Sequence, residues 1–158
     1  MSTPHNRLRE LGIELPEAPV PVAAYVPVRL DGDLAYVSGQ VPFEGGRLAE
    51  TGPVGDGGMT LERAQAAARR CAINALAALD AHAGGLDNIA GIVRVGVFVA
   101  CGSEFTDHPR VGNGASELFV EVFGDAGRHA RAAVGCSSLP LGASVEVEVL
   151  ARLREQPG

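Results

Sequence analysis

An arginine and two glutamates near the carboxyl end of the chain have the residue types that acid–base chemistry requires. Arg131 lies in the segment 129–140, and Glu146 and Glu148 alternate with valines over 145–149. This alternation predicts a strand with both carboxylates on one face. If the two segments pair as a hairpin, a guanidinium and a carboxylate lie near enough to hold a small anion and activate water. A surface ion pair, which stabilises a protein little, is the alternative interpretation.

Length and charge limit the classes of protein to consider. The chain has 158 residues, enough for one domain with an ordinary core. We predict an amino-terminal extension with a short helix over 1–19 and a single domain over 20–155. There are 13 Lys and Arg against 19 Asp and Glu, a net charge of −6, and no basic stripe. Nucleic acid is therefore disfavoured as a partner.

Targeting and metal-binding signals are missing from the sequence. No apolar run reaches the roughly 18 residues that a membrane span needs, and no apolar run follows the first charges. We therefore predict a cytoplasmic protein with no membrane partner. Cys71, Cys101 and Cys136 form no metal-binding spacing, which favours reduced thiols. The glycine-rich segment 51–58 lacks the lysine of a phosphate-binding loop. No metal and no cofactor are expected.

Periodicity and turn residues define the elements that must position the candidate residues. Asn6 is a possible N-cap of a short helix over 6–11, and Pro16, Pro19 and Pro21 predict extended chain after it. The other predicted elements are strands over 23–30 and 34–38, a helix over 60–83 capped by Thr60, a strand over 89–100, and a helix over 111–123. The two segments that carry Arg131 and Glu146 follow, and a frayed tail over 156–158 ends the chain.

This order of elements predicts an α+β fold. About six strands form one sheet, and the two long helices pack on one face of it. The other face is then bare and needs a cover. We predict that it is buried against other subunits, most economically in a cyclic oligomer.

With these residues in hand, the chain resembles the RidA family, also called the YjgF or L-PSP endoribonuclease-like family. The resemblance covers roughly residues 20–153, and the chain reads as a divergent, longer branch. It rests on residues in matching order and spacing: Tyr25, Ser38-Gly39-Gln40-Val41-Pro42, the long helix before Gly84-Gly85, Asn113, Arg131, Leu139-Pro140 and Glu146. It implies a chorismate-mutase-like fold and a homotrimer whose sheets form a central barrel, with three clefts between subunits.

The resemblance also implies a chemistry. Active members hydrolyse reactive enamine or imine acids, such as 2-aminoacrylate, to a 2-keto acid and ammonia. Arg131 would hold the carboxylate of the substrate, and Glu146 would position or deprotonate the attacking water. Tyr25 and Ser38 would line the pocket. An arginine fork matches a carboxylate bidentately, and an imine is electrophilic enough to need no metal or organic cofactor.

Several alternatives stay open at this point. Active members often carry Cys two residues after the arginine, where this chain has Ala133, whose backbone N–H could still serve. A non-catalytic trimer that binds a small keto acid is therefore the second hypothesis, and whether the chain is an enzyme is left open. Asn113 is a helix cap or a ligand, and His129 is structural or an acid–base group. Glu148 could replace Glu146. Endoribonuclease activity is disfavoured by the acidic chain.

Overall fold

The computed structural model describes residues 2–18, 20 and 23–155. The positions Pro19 and Pro21, for which extended chain is predicted, and the predicted frayed tail 156–158 lie outside these residues. The helices are α1 (Pro4–Glu10), α2 (Leu61–His82) and α3 (His108–Phe123). The strands are β1 (Val28–Asp31), β2 (Leu34–Gln40), β3 (Phe43–Glu44), β4 (Arg47–Leu48), β5 (Ile89–Ala100), β6 (Ala130–Cys136) and β7 (Val145–Leu153).

Helix starts follow capping chemistry, with two corrections to the predictions. The Thr60 hydroxyl accepts a hydrogen bond from the backbone N–H of Arg63 at 3.3 Å, so the predicted cap of α2 is confirmed. The predicted Asn6 cap of α1 is wrong, because Thr3 is the N-cap and accepts from the Asn6 N–H at 3.2 Å. Helix α3 begins at His108 rather than at residue 111, with a proline in its first turn.

The main sheet is mixed and has the strand order β1-β2-β7-β5-β6. Strand β5 pairs in parallel with β6 and antiparallel with β7. The hairpin considered for the Arg131 and Glu146 segments does not form, because β5 lies between them. The physical reason is that α3 connects β5 to β6 as a crossover, which brings the second strand back parallel to the first. The first strand is also shorter than the predicted range 23–30.

Both long helices pack on one face of this sheet, as predicted, and the α+β class is confirmed. The five-stranded sheet and the separate two-stranded ribbon of β3 and β4 replace the predicted sheet of about six strands. Alternate residues of β5 and β7 bury their side chains under the helices. The largest fully buried side chains of the core include Phe119, Leu76, Leu79, Leu86, Ile89, Leu118, Val95, Val97, Val99 and Val145. Helix α1 packs against α3 and adds Leu8 to the same core.

The other face of the sheet, which we call the open face, is apolar in part. Tyr36 of β2 and Val134 of β6 lie on it, 44% and 48% exposed. Glu148 of β7 lies between them, with a carboxylate oxygen 3.7 Å from a guanidinium nitrogen of Arg94. Coverage of this face by other subunits stays a prediction. Within the described ranges, no helix is both long and apolar enough to cross a bilayer.

Candidate functional site

Arg131 projects from the edge strand β6 onto helix α3. Its position in register with Val95, a buried residue, places its side chain on the helix-covered face of the sheet. The guanidinium approaches α3 closely at Gly112, where an added Cβ would lie 3.1 Å from Nη1. A glycine at this position therefore leaves the room that the arginine occupies.

Three acceptors on α3 hold the guanidinium. Nη1 donates to the Asn113 side-chain oxygen at 2.9 Å and to the Ser116 hydroxyl at 3.1 Å. Nη2 donates to the Pro109 carbonyl at 3.1 Å. A guanidinium has five N–H donors, so the Nε donor and one Nη2 donor have no acceptor within the described part of the chain. We call Arg131 and these three acceptors the Arg131 half-site.

The position of Asn113 corrects the idea that it opens or caps the second helix. Helix α3 begins five residues earlier, at His108, and Asp107 is its N-cap residue. Asn113 instead accepts a hydrogen bond from Arg131 through its side-chain carbonyl oxygen, and Ser116, one turn later, accepts one through its hydroxyl. Residues three apart lie on one face of a helix, so this i, i+3 spacing is the signal that could have found Ser116, which the sequence interpretation missed.

His129 is engaged on both ring nitrogens. Its Nδ1 lies 2.7 Å from the Gly127 carbonyl, and its Nε2 lies 2.9 Å from the Ser116 hydroxyl. The ring also meets Phe119 edge-on, with 5.9 Å between ring centres. Burial lowers the pKa of His129, and the nearby charge of Arg131 lowers it further against the opposing effect of the Gly127 carbonyl. The structural interpretation of this histidine fits these contacts.

A second group of candidate residues meets in a cleft of about 430 Å³ between β2, β7 and the chain before β1. Tyr25, Ser38 and Glu146 line it together. Tyr25 is 61% exposed, and Ser38 donates its hydroxyl to the Val26 carbonyl at 2.6 Å. Four apolar side chains complete the wall, of which only Val41 belongs to the motif matched in the sequence: Val20, Val41, Phe43 and Leu141.

Glu146 is positioned by the shape of β2. The pairing of β2 with β7 shifts by one residue between Val37 and Gln40, which is a β-bulge. At this bulge an added Cβ on Gly39 would lie 2.1 Å from a carboxylate oxygen of Glu146. Only a residue without a side chain leaves the carboxylate where it is. We call Tyr25, Ser38, Gly39 and Glu146 the Glu146 half-site.

The electrostatics of this half-site favour proton uptake. Burial raises the pKa of Glu146 above its usual value, and the negative charge of Glu148 raises it further. No hydrogen bond from any described residue stabilises the ionised form of Glu146. A carboxylate in this state is a better proton acceptor than an exposed one.

The two half-sites lie on opposite faces of the sheet within one chain. Arg131 is in register with Val95 under the helices, whereas Glu146 is in register with Phe98 on the open face. One small substrate therefore cannot touch both side chains of the same chain. Ala133 lies on the Arg131 face, in register with Val97, and packs against the core.

A further polar pair lies near the start of α3. The Cys101 sulfur is 3.4 Å from Nε2 of His108, and burial raises the pKa of the thiol. Among residues 2–18, 20 and 23–155, no group of three or more His, Cys, Asp or Glu side chains is arranged to hold a metal ion.

Comparisons with known proteins agree on one family. The model of the family described as "YjgF/chorismate mutase-like, putative endoribonuclease" matches residues 5–153. Protein TCP17 from Trypanosoma cruzi is 43% identical over 147 residues, which cover 92% of this chain and 91% of that protein.

Two crystal structures are similar over nearly the whole chain. Protein Atu1372 from Agrobacterium tumefaciens, described as having unknown function, is 45% identical with a TM-score of 0.89, covering 96% of this chain and 92% of that one. A protein from Shewanella oneidensis, described as a putative endoribonuclease, is 34% identical with a TM-score of 0.91, covering 96% and 100%.

Proposed function

Because this chain belongs to the YjgF/chorismate mutase-like family, we propose that it is an imine/enamine deaminase that hydrolyses 2-aminoacrylate-type acids to 2-keto acids and ammonia. The observation that carries the proposal is the chemical complementarity of the two half-sites. One presents a guanidinium with two donors to spare, and the other presents a carboxylate whose pKa is raised. A small imine acid needs both groups.

The Arg131 half-site binds the substrate carboxylate in this proposal. The two remaining N–H donors, on Nε and Nη2, can each donate to one carboxylate oxygen. Because Asn113, Ser116 and the Pro109 carbonyl already fix the guanidinium, little side-chain freedom is lost when the substrate binds. The imine carbon is thereby placed for attack from the opposite side of the cleft.

The Glu146 half-site activates water. The reacting species is the imine tautomer of the acid, protonated on its nitrogen. As the water oxygen bonds to the imine carbon and the C=N electron pair moves to nitrogen, Glu146 takes one proton from the water and a carbinolamine forms. Glu146 then gives this proton to the nitrogen, the C–N bond breaks, and the hydroxyl proton passes to Glu146 as the C=O bond forms; the released ammonia takes up that proton and leaves Glu146 ionised. The products are a 2-keto acid and ammonia. Tyr25 and the apolar cleft residues exclude bulk water from the reacting carbon.

Two subunits are needed to complete such a site, and we propose a homotrimer with its sites between neighbours. The half-sites face opposite sides of the sheet, so Arg131 of one subunit has to meet Glu146 of another. The exposed apolar residues Tyr36 and Val134 on the open face supply surface for such an interface. The edge position of β6 also places Arg131 at a border of the sheet, where a neighbour can approach.

Complementation between two inactive variants tests both proposals. Arg131→Ala and Glu146→Gln, each purified alone, are expected to release almost no ammonia from 2-aminoacrylate generated in situ. Co-expressed in equal amounts, they form mixed trimers in which about a quarter of the sites contain both intact residues. Ammonia release near that fraction of the wild-type rate is expected. A wild-type monomer by light scattering, or no recovery in the mixed protein, would contradict the shared site.

A keto-acid-binding protein without turnover is the second candidate, and Ala133 is the observation that favours it. Its side chain offers no acid or base beside Arg131 and packs into the core. Stabilisation of the protein by 2-oxobutyrate in thermal melts, together with a rate of ammonia release equal to that of Arg131→Ala, would support this candidate over the deaminase.

Endoribonuclease activity, which the family description mentions, receives less support. The net charge of −6 opposes the approach of a phosphate backbone. RNA cleavage that persists through purification and disappears in Arg131→Ala would reverse this assignment.

A further inference from the structure

A line of hydrogen bonds runs from Arg131 through the side chains of Ser116 and His129 to the backbone. Nη1 of Arg131 lies 3.1 Å from the Ser116 hydroxyl, which lies 2.9 Å from Nε2 of His129. Nδ1 of the same imidazole lies 2.7 Å from the Gly127 carbonyl. Three separate parts of the chain therefore meet behind the guanidinium: α3, the turn after it, and the start of β6.

The donors and acceptors in this line can be assigned without ambiguity when His129 is neutral. A carbonyl only accepts, so Nδ1 of His129 carries the ring proton and Nε2 is an acceptor. The Ser116 hydroxyl then donates its proton to Nε2. Its lone pairs are left to receive the N–H of Arg131. Each group has the partner that it needs, and the order of donation runs in one direction from Arg131 to Gly127.

Rigid surroundings keep this arrangement in place. Phe119, which is fully buried, meets the His129 ring edge-on and limits its rotation. Asn113 occupies the second N–H of Nη1, one turn before Ser116 on α3. Both protons of Nη1 are therefore engaged by the protein. The guanidinium can turn only its Nε and Nη2 donors outward.

We propose that Ser116 and His129 are positioning residues that fix the guanidinium of Arg131 so that its Nε and Nη2 donors face the substrate carboxylate. This inference rests on the proposed function. His129 acts on Arg131 through Ser116, as a neutral hydrogen-bond acceptor. It transfers no proton to or from the substrate, because both of its ring nitrogens are engaged, one by Ser116 and one by the Gly127 carbonyl. Keeping it neutral also leaves Arg131 as the one cation of this half-site among the described residues.

Nitrogen NMR on the full-length protein tests the positioning without any ligand. In the wild type, the His129 ring is expected to show a protonated Nδ1 and an unprotonated Nε2. Restricted rotation of the Arg131 guanidinium is expected to give separate Nη1 and Nη2 signals. These signals are assigned to Arg131 by their absence from the spectrum of Arg131→Lys. Ser116→Ala and His129→Leu are expected to broaden the two signals through faster rotation, because the Ser116 contact is lost or no longer oriented while the Asn113 and Pro109 contacts remain. Unchanged, separate signals in both variants would overturn the proposal.

Calorimetry of 2-oxobutyrate binding tests whether the positioning of the Arg131 guanidinium affects carboxylate recognition. Ser116→Ala and His129→Leu are expected to weaken binding roughly tenfold, because the less restrained guanidinium then has to be ordered when the ligand binds. Ser116→Thr keeps the hydroxyl and is expected to bind as the wild type does. With 2-aminoacrylate, the same two variants should raise KM by a similar factor and leave kcat close to the wild-type value.

The outcomes separate this inference from the proposed function. If the wild type has an ordered guanidinium but does not bind 2-oxobutyrate, the proposed function fails while the positioning stands. If the wild type binds and Ser116→Ala binds equally well, the positioning role is wrong and the function stands. A large fall in kcat with unchanged KM in His129→Leu would make His129 an acid–base group and contradict the inference.

Discussion

The Arg131 and Glu146 half-sites position their charged groups by opposite means. Arg131 is held by three hydrogen bonds to acceptors on one helix. Glu146 receives no hydrogen bond from the described residues and is placed by the absence of a side chain at Gly39. One half-site is organised by polar contacts, and the other is organised by shape and burial.

The difference follows from what each group has to do. A guanidinium keeps its charge at any relevant pH, so hydrogen bonds can fix it without changing its protonation. A general base has to gain a proton, and donors to its carboxylate would lower its pKa and oppose that step. Burial beside Glu148 has the reverse effect and raises the pKa of Glu146. The contrast therefore matches a fixed anion-binding group and a proton acceptor.

The largest expected effect comes from removing the base. Glu146→Gln keeps the size of the side chain and abolishes proton uptake, which should lower kcat for 2-aminoacrylate hydrolysis by about 10²–10⁴-fold. Binding of 2-oxobutyrate, which depends on Arg131, should change little. Glu148→Gln is the matched control and should retain most of the rate. Equal losses in the two variants would remove the distinction between these glutamates.

A smaller effect is expected from moving the base without removing it. Gly39→Ala would place a Cβ against the Glu146 carboxylate and displace it, and we expect kcat to fall by roughly 10–100-fold. Gly96→Ala is the control, because it crowds Glu148 and not Glu146. An added Cβ at Gly96 would lie 2.8 Å from the Glu148 side chain. Steady-state kinetics on both variants, with circular dichroism to verify folding, make the measurement. A Gly39→Ala enzyme as fast as the wild type would mean that the observed carboxylate position is unimportant.

The smallest effect is on the pH profile. Because the pKa of Glu146 is raised, the ionised base is lost as the pH falls through that raised value, and kcat falls with it. Glu148 contributes to the shift, so Glu148→Gln should move this acid limb to lower pH. Glu62→Gln, on the exposed start of α2, should leave the profile unchanged. A limb that moves to higher pH in Glu148→Gln would contradict the electrostatic role of this residue.

Local patterns in the sequence predicted both long helices and the strands of the main sheet, with shifts at some of their ends. The alternation of valines and glutamates in β7 and the Thr60 cap of α2 depend on neighbours within a few residues, and both were found in the structure. The motif residues Tyr25, Ser38 and Glu146 were identified by their order and spacing. The structure brings these three residues together in one cleft.

Strand neighbours and side-chain partners were decided by the tertiary structure alone. No local pattern in β6 or β7 indicates that β5 lies between them in the sheet, because the crossover through α3 sets that strand order. The separation of Arg131 and Glu146 onto opposite faces follows from the registers of β6 and β7 on β5, and the meeting of Ser116 with His129 follows from the packing of α3 beside the start of β6. A sequence specifies which side chains share a face of their own strand or helix, but the packing of distant segments determines which faces meet.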